Sequence, residues 1–367
     1  MRLGGRLTLR WLGRLKPPNE PGGTQALSVA CRAGGGCSTP HRPLNGRLEP
    51  SRAVSLRGLG EHSLVKWIRQ QHCPVCGDHG NPERVRFLPG AAYRFGTERI
   101  PYPEGGVPLG ACPRCGLVFK QVLPAPSSLA ELFQHHAGEV WQGRYSFNDE
   151  SQLLTTLLGD DFDLLDVGPS NGAWLGRCPG TGRRSGLDVI AHPGVTEAVR
   201  GEFVLGFLDQ EDLQWEGRPY DVATAFDVFE HLYAPRRAFA NLRMLLKPRG
   251  HIIIETGDVC SRWPIRLGAE RWWYARVLEH HVFWSETSLR AAAETAGFQV
   301  ISCRRKRHKG RAETAVASIL RESLLSIAYW ASPEAYETAA HLIGRRGLPP
   351  GNPWAKDHLR AILRLRD

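Results

Sequence analysis

Two copies of one five-residue pattern, Cys73-Pro-Val-Cys76-Gly and Cys112-Pro-Arg-Cys115-Gly, constrain this 367-residue chain more than any other feature of it. Two residues between thiolates let a tight turn present both sulfurs to one ion. The proline helps to set that turn, and the trailing glycine accepts the positive φ it requires. One such pair is a weak signal. Two of them, separated by 35 residues, complete a tetrahedral set of four thiolates, the closed geometry of a structural metal with no position open for catalysis. Cys73, Cys76, Cys112 and Cys115 are therefore expected to hold a structural Zn2+, in preference to a redox dithiol pair or unrelated buried cysteines. His72 and His79 flank the first pair and read as surface residues, because four thiolates already fill the coordination sphere.

Around the pairs, ERVRFLPG, AYRFGT, VPLGA and LVFKQVL read as short strands broken by Gly and Pro. Residues 62–125 are thus expected to form a small β-rich zinc ribbon whose metal supplies much of its folding energy. A connecting helix and linker follow at 126–147. The other five cysteines, Cys31, Cys37, Cys178, Cys260 and Cys303, are scattered and read as reduced thiols in a cytoplasmic setting.

From about residue 148 the pattern changes to apolar runs alternating with helix-like segments, the mark of successive βαβ units and a mostly parallel sheet. Strands are expected at Phe162–Val167, Ser185–Val189, Glu202–Leu205, Val222–Phe226, His251–Glu255 and Phe298–Ser302. Helices are expected near Gly172–Arg177, His192–Arg200, Arg236–Leu246 and Ser285–Ala296. The first strand runs into Asp166-Val167-Gly168-Pro169-Ser170-Asn171-Gly172. A strand that ends at an acid and turns through glycines offers backbone N–H groups to a ligand and lets it approach closely. About 20 residues on, Asp188 places a second carboxylate where it can accept both hydroxyls of a ribose. A nucleoside cofactor follows from that pair, although a plain strand-to-helix turn accounts for the glycines equally well. The G-x-G-x-x-G spacing that cradles a dinucleotide pyrophosphate is missing, which argues against a dehydrogenase.

The stretches LLDVGPSNGAWL, GLDV, VLGFLDQEDL, YDVATAFDVFEHLYAPRRAFANLRMLLKPRGHIIIET and EHHVFWSETSLRAAAETAGF together resemble the class I S-adenosylmethionine methyltransferases. The resemblance implies an α/β fold: a Rossmann-like, mostly parallel seven-stranded sheet with flanking helices over 148–367, interrupted by a helical insertion at about 313–345. It also implies methyl transfer from S-adenosyl-L-methionine. Carried over by residue, it places Asp166, Gly168, Ser170 and Gly172 around the methionine part of the cofactor and Asp188 on its ribose. Asp209 would lie near the adenine, with Phe226 and Asp227 closing the pocket. Ser170 stands where the family has its middle glycine.

Removing a proton from the acceptor near neutral pH suits histidine best. Glu230-His231, at the mouth of the fourth strand, and Glu279-His280, before the last helix, are the candidate catalytic pairs. For the first, the roles of base, metal contact and scaffold are all open. The second, with His281, resembles a segment of the zinc-binding methyltransferases of sugars and other small molecules, which implies a small-molecule acceptor such as a sugar or glycan precursor. Val277 stands where those sugar enzymes carry a tyrosine. Trp272, Trp273 and Tyr274 read either as core or as an apolar lid over the acceptor.

Charge bears on the competing reading. Of the net +10, residues 1–60 contribute +8, nine Arg and Lys16 against Glu20 and Glu49. The basic character thus belongs mainly to a Gly-, Arg- and Pro-rich tail, residues 1–61, expected to be disordered. Its Arg-rich, acid-poor start suits either a transit peptide or an extension without function. The short cluster Arg304–Arg311 reads as a solvated turn. Nucleic acid is therefore a less favoured partner, and a non-catalytic ribbon protein binding RNA or a protein is the alternative to an enzyme. No apolar run approaches the roughly 18 residues of a membrane span. Nothing in the pattern fixes an oligomeric state.

Overall fold

The computed structural model describes residues 65–77, 83–95, 98–136, 147–215, 217–307, 324–325, 327–329, 331–332, 336 and 356–367. The basic tail and most of the expected insertion lie outside these. Of the insertion, Leu324, Leu325, Tyr329 and Tyr336 are helical.

The larger part is a seven-stranded sheet. Its strands, in chain order, are β8 (Leu164–Val167), β9 (Arg184–Asp188), β10 (Phe203–Leu205), β11 (Tyr220–Phe226), β12 (Leu246–Gly257), β14 (Phe298–Lys306) and β15 (His358–Leu365). They lie in the order β10-β9-β8-β11-β12-β15-β14. All run parallel except β15, which pairs antiparallel with both β12 and β14. Within this sheet the order is 3-2-1-4-5-7-6, with the chain reversing direction across the sheet between β8 and β11. Ligand crevices in open α/β sheets form at that reversal, outside the carboxyl ends of the strands. The strands read as continuous apolar runs because helices cover both faces: Leu164, Leu165, Val222, Ala223, Ile252 and Ile254 are fully buried.

Helices α2 (Asn148–Leu158), α3 (Pro193–Ala198), α4 (Pro235–Leu245) and α6 (Glu286–Thr295) surround the sheet, with the short α5 (Arg262–Leu267) beyond β12. In α4, Pro235 occupies the first turn and Ala238, Phe239, Leu242 and Leu245 form the buried stripe. Ser285 and Ser288 cap α6 reciprocally. The helix expected at Gly172–Arg177 is instead a series of turns. Gly172 has φ +75, a left-handed conformation that cannot open a right-handed helix. Pro179 then ends the segment within two turns.

In the ribbon, β1 (Trp67–Arg69) pairs with β7 (Val122–Pro124). Strands β3 (Ala92–Phe95) and β4 (Glu98–Pro101) form a hairpin, and α1 (Pro126–His136) leads out of the module. The remaining strands, β2 (Glu83–Phe87), β5 (Pro108–Ala111) and β6 (Val118–Lys120), share a sheet with β13 (Val282–Phe283), in the order β13-β6-β5-β2. Strand β13 belongs in sequence to the α/β part. The ribbon is thus stitched into the larger domain, and one apolar core runs from Cys73, Val75, Leu117 and Phe119 through Phe229 and Trp284 to Leu165 and Val167.

Cys178 and Cys303 are free thiols. Cys260 departs from the expectation of a reduced thiol: it is disulfide-bonded. No helix among the described residues is long and apolar enough to cross a membrane.

Candidate active site and zinc centre

The four expected zinc ligands come together. Cys73 Sγ lies 3.5 Å from Cys115 Sγ, and Cys76 Sγ lies 3.4 Å from Cys112 Sγ. All four sulfurs fall within 4.8 Å of one another. A tetrahedral ion with Zn–S bonds of about 2.3 Å needs sulfurs roughly 3.8 Å apart, so this set fits zinc with only small adjustments. Each pair sits in the turn its spacing implies: the N–H groups of Gly77 and Gly116 donate to the carbonyls of Cys73 and Cys112, both at 2.9 Å, and the two glycines have φ +64 and +73. His72 is exposed, as expected, while His79 lies outside the described residues.

At the carboxyl ends of β8 and β9 the chain builds a second constellation. Gly168, Ser170 and Gly172 have φ of +70, +51 and +75, and Asp227, just after β11, has φ +57. Left-handed backbone at non-glycine residues is uncommon and concentrates at functional sites. Two of the three such residues among those described, Ser170 and Asp227, flank this one crevice. The Ser170 N–H donates to Asp188 Oδ2 (2.9 Å), and the Val189 N–H donates to Asp188 Oδ1 (2.7 Å). Burial pushes the Asp188 carboxyl up, and these backbone donors only partly offset it. Asp166 is buried and accepts from the Thr224 hydroxyl at 2.7 Å, which in turn accepts from Trp174 Nε1 at 3.1 Å. Phe226 packs on Trp174, ring centroids 5.5 Å apart. Asp209 Oδ2 accepts from the N–H groups of Tyr233 and Ala234, both at 2.7 Å. This buried carboxylate pins the loop after β11.

The two Glu-His pairs, 49 residues apart in sequence, meet in space. The His231 and His280 rings stand edge to face, 4.9 Å between centroids. Each uses Nδ1 on a backbone carbonyl: His231 on that of Glu279 at 3.0 Å and His280 on that of Tyr274 at 2.9 Å. Their Nε2 atoms then face Glu230 Oε1, at 3.9 and 4.0 Å. Glu230 is fully buried. It accepts from the Tyr274 hydroxyl through Oε1 and from the Thr256 hydroxyl through Oε2 at 2.7 Å. Burial, with the nearby Asp227 charge, pushes the Glu230 carboxyl up to about 7, and burial pulls the His231 imidazole down to about 4. Burial also lifts Glu279 to about 7.

Residues 131–303 match the family model described as a methyltransferase domain. That segment is a methyltransferase domain. Among solved structures, the domain is similar to 1,6-didemethyltoxoflavin-N1-methyltransferase of Burkholderia thailandensis, solved with S-adenosylhomocysteine: 17% identity, TM-score 0.43, 72% of this chain and 98% of that one covered. It is also similar to the N-methyltransferase NodS of Bradyrhizobium japonicum in complex with S-adenosyl-L-homocysteine, at 14% identity and TM-score 0.38, covering 65% and 98%. A third is the [4+2]-cyclase SpnF, at 16% identity and TM-score 0.41, covering 66% and 97%. No curated protein matches the chain. The strand order, and not these overlaps, defines the fold.

Two residues of this cluster escape a sequence reading. Tyr274 is no lid: it is buried with Trp272 in the core facing the ribbon, and its hydroxyl accepts from the Gly257 N–H at 3.0 Å. His358, at the start of β15, is buried, with Nδ1 2.9 Å from Asp357 Oδ1 and Nε2 3.8 Å from Asp227 Oδ1. Burial lowers its affinity for a proton, but the carboxylates of Asp357, Asp227 and Glu230 outweigh that and hold it above the usual imidazole range. Its ring stands at 88° to that of Tyr274. In the sequence, Asp357-His358 is only a dipeptide before a terminal strand, with nothing to bring it to the site.

Proposed function

We propose that this chain is an S-adenosylmethionine-dependent methyltransferase acting on a small-molecule acceptor, with a structural zinc in its N-terminal ribbon. The observation that carries the reading is the pair of non-glycine left-handed residues, Ser170 and Asp227, which follow the neighbouring strands β8 and β11 at the reversal of a 3-2-1-4-5-7-6 sheet. Strain at that one place is explained by a ligand that needs the backbone turned toward it.

The cofactor would supply an electrophilic methyl group on a sulfonium. Asp188 would hold its ribose hydroxyls, since each carboxylate oxygen already fixed by a backbone donor keeps a second lone pair to offer. The loop Gly168–Gly172 would lie along the methionine part near Asp166, with Phe226 and Asp227 closing the pocket and Asp209 fixing the wall at Tyr233. The residues around Glu230, His231, Glu279 and His280 would orient the acceptor and take up its proton. His231 is suited to that, being neutral near pH 7 because burial disfavours its cation. The acceptor class, a sugar or similar polyhydroxyl metabolite, rests on the family resemblance of the 279–285 segment.

Calorimetric titration of S-adenosylmethionine into the zinc-loaded protein, alongside Asp188→Ala, tests the reading. Each hydrogen bond to a charged group contributes about 1.5–3 kcal/mol, so losing two weakens binding by at least about 100-fold. A folded, zinc-loaded protein that binds no S-adenosylmethionine would overturn the proposal and favour a non-catalytic binding role.

A further inference from the structure

We infer that His358, delivered by the last strand and gripped by Asp357, is a positioning residue that holds the Asp227 carboxylate at the edge of the cofactor crevice. Its use in binding rests on the methyltransferase reading, whereas the contact itself does not.

The first argument is placement. Strand β15 lies antiparallel between β12 and β14, with His358 opposite Gly257 on one side and Lys306 on the other. That register carries the final strand's first residue to the carboxyl end of β12, beside the loop that leaves β11 at Asp227. The Asp258 N–H donates to the Asp357 carbonyl at 2.7 Å, which fixes the main chain just before the ring. Asp357 Oδ2 accepts from Trp273 Nε1 at 3.4 Å, and Asp357 Oδ1 lies 2.9 Å from His358 Nδ1. A carboxylate can only accept, so Nδ1 carries a proton. The other nitrogen, Nε2, is turned to Asp227 Oδ1, 3.8 Å away.

The second argument is charge. A ring with a carboxylate at each end is stabilised as the imidazolium, because a proton on each nitrogen then serves both anions. The surroundings agree in sign. The carboxylates of Asp357, Asp227 and Glu230 outweigh burial and hold His358 above the usual imidazole range. The Tyr274 ring stands 5.3 Å off, and β12 offers only Gly257 across from it. The nearest cations on the sheet, Lys306 of β14 and Arg360 of β15, are engaged by Glu150 and Glu255.

The third argument is what Asp227 requires. Its φ of +57 persists in a non-glycine residue only when the surroundings over-determine it. The Asp227 N–H donates to the Glu255 carbonyl at 2.8 Å, and the His231 ring hydrogen-bonds the Asp227 backbone. Those bonds hold the main chain, whereas the His358 imidazolium acts on the carboxylate. The side chain of Asp227 is 20% exposed and that of His358 only 1%. The cation is thus sealed behind the carboxylate and acts on a ligand through it. Asp227 would then present its negative charge to the sulfonium or ammonium of the cofactor.

Calorimetric titration of S-adenosylmethionine into the zinc-loaded full-length protein, His358→Gln, Asp227→Asn and the double variant tests this. His358→Gln should weaken binding by about 10-fold, and that loss should vanish in the Asp227→Asn background, as it must for a residue acting through Asp227. Asp357→Asn keeps the imidazole but removes the anion that holds its proton, and it carries the test where His358→Gln does not fold. The imidazolium is the form that holds Asp227, so affinity is full below its pKa and falls as pH rises through it. In Asp357→Asn that fall should move to lower pH. If S-adenosylmethionine binds the wild type, the methyltransferase reading stands, and either an equal loss from His358→Gln in both Asp227 backgrounds or an alkaline limb unmoved in Asp357→Asn overturns the inference. If the wild type binds none, that reading falls, and urea unfolding of the same four proteins decides the contact. Coupling between His358 and Asp227 then sustains it, and additive losses overturn it.

Discussion

Replacing Gly168 by alanine tests how the first loop of the crevice is held. Gly168 has φ +70, and a Cβ placed there would lie 2.6 Å from Val228 Cγ2. Two costs follow. An L-residue in the left-handed region loses about 1–2 kcal/mol, and the overlap loses about 1–3 kcal/mol more, because the β-branched Val228 side chain has little freedom to turn aside. Gly168→Ala should therefore destabilise the protein by about 2–5 kcal/mol in total. The two costs separate in a double-mutant cycle. With Val228→Ala, the methyl that Cβ would strike is gone and only the backbone cost remains, so the pair should show a coupling of about 1–3 kcal/mol. Urea unfolding of the four proteins, followed by circular dichroism with zinc present, measures it. Equal costs of Gly168→Ala in both backgrounds would mean that the loop does not rest on Val228, and the account of the crevice would be wrong at its centre.

Other consequences are simpler to state. Glu150 is buried and receives Lys306 Nζ at 2.7 Å together with the Arg360 guanidinium, both of which also bind Glu255. Glu150→Ala leaves those cations short of a partner and should cost about 3–5 kcal/mol in denaturant unfolding. Burial pushes the Glu150 carboxyl up, but Lys306 and Arg360 outweigh it and hold it below its ordinary value of 4.5. Its contribution is thus complete above the unfolded value and lost as pH falls through the lower folded one. Glu150→Gln should flatten the acid limb of the stability curve, and an unchanged limb would exclude that linkage. Burial also pushes the Cys178 and Cys303 thiols up to about 12. Iodoacetamide at pH 8 should label neither until the protein unfolds, as mass spectrometry of the digests would record.

Legibility in the sequence follows how local each feature is. The zinc ligands sit in two short turns that spacing alone reveals, and Asp166, Gly168, Gly172 and Asp188 lie at the ends of their strands in a pattern visible locally, whereas Ser170, Asp209, Phe226 and Asp227 enter only through the family resemblance. The Glu-His cluster is only half legible: 230–231 and 279–280 are visible as separate pairs, but their meeting depends on β13 returning to the ribbon through a two-residue strand, too short for any periodicity to reveal. Tyr274 and His358 reach the site through the tertiary fold, from an aromatic run and from the last strand. The failed helix at 172–177 has a local cause, since Gly172 must turn left-handed: a Cβ there would strike the Val195 backbone at 2.8 Å.

The ribbon holds the loop 277–283 through its own backbone, and this makes zinc a condition for the candidate site rather than for the ribbon alone. The Lys120 N–H donates to the His281 carbonyl at 2.9 Å. Its buried amino group donates to the carbonyls of Val277 (2.5 Å) and Leu278 (3.2 Å), and Phe119 and Val118 pair with Val282 and Phe283. Lys120 lies five residues beyond Cys115 in a module too small to fold on apolar burial without its metal. When the cysteines lose zinc, β6 loses its neighbours first and β13 loses β6. Hydrogen exchange should show the amides of 277–283 protected in the zinc-loaded protein and opening in Cys112→Ser, while the amides of β8, β11 and β12, buried in the parallel sheet, keep their protection. Unchanged protection of 277–283 in that variant would mean that the loop is held by the methyltransferase domain alone. Equal loss across all these strands would mean that the two parts unfold as one unit, with the metal supporting the whole.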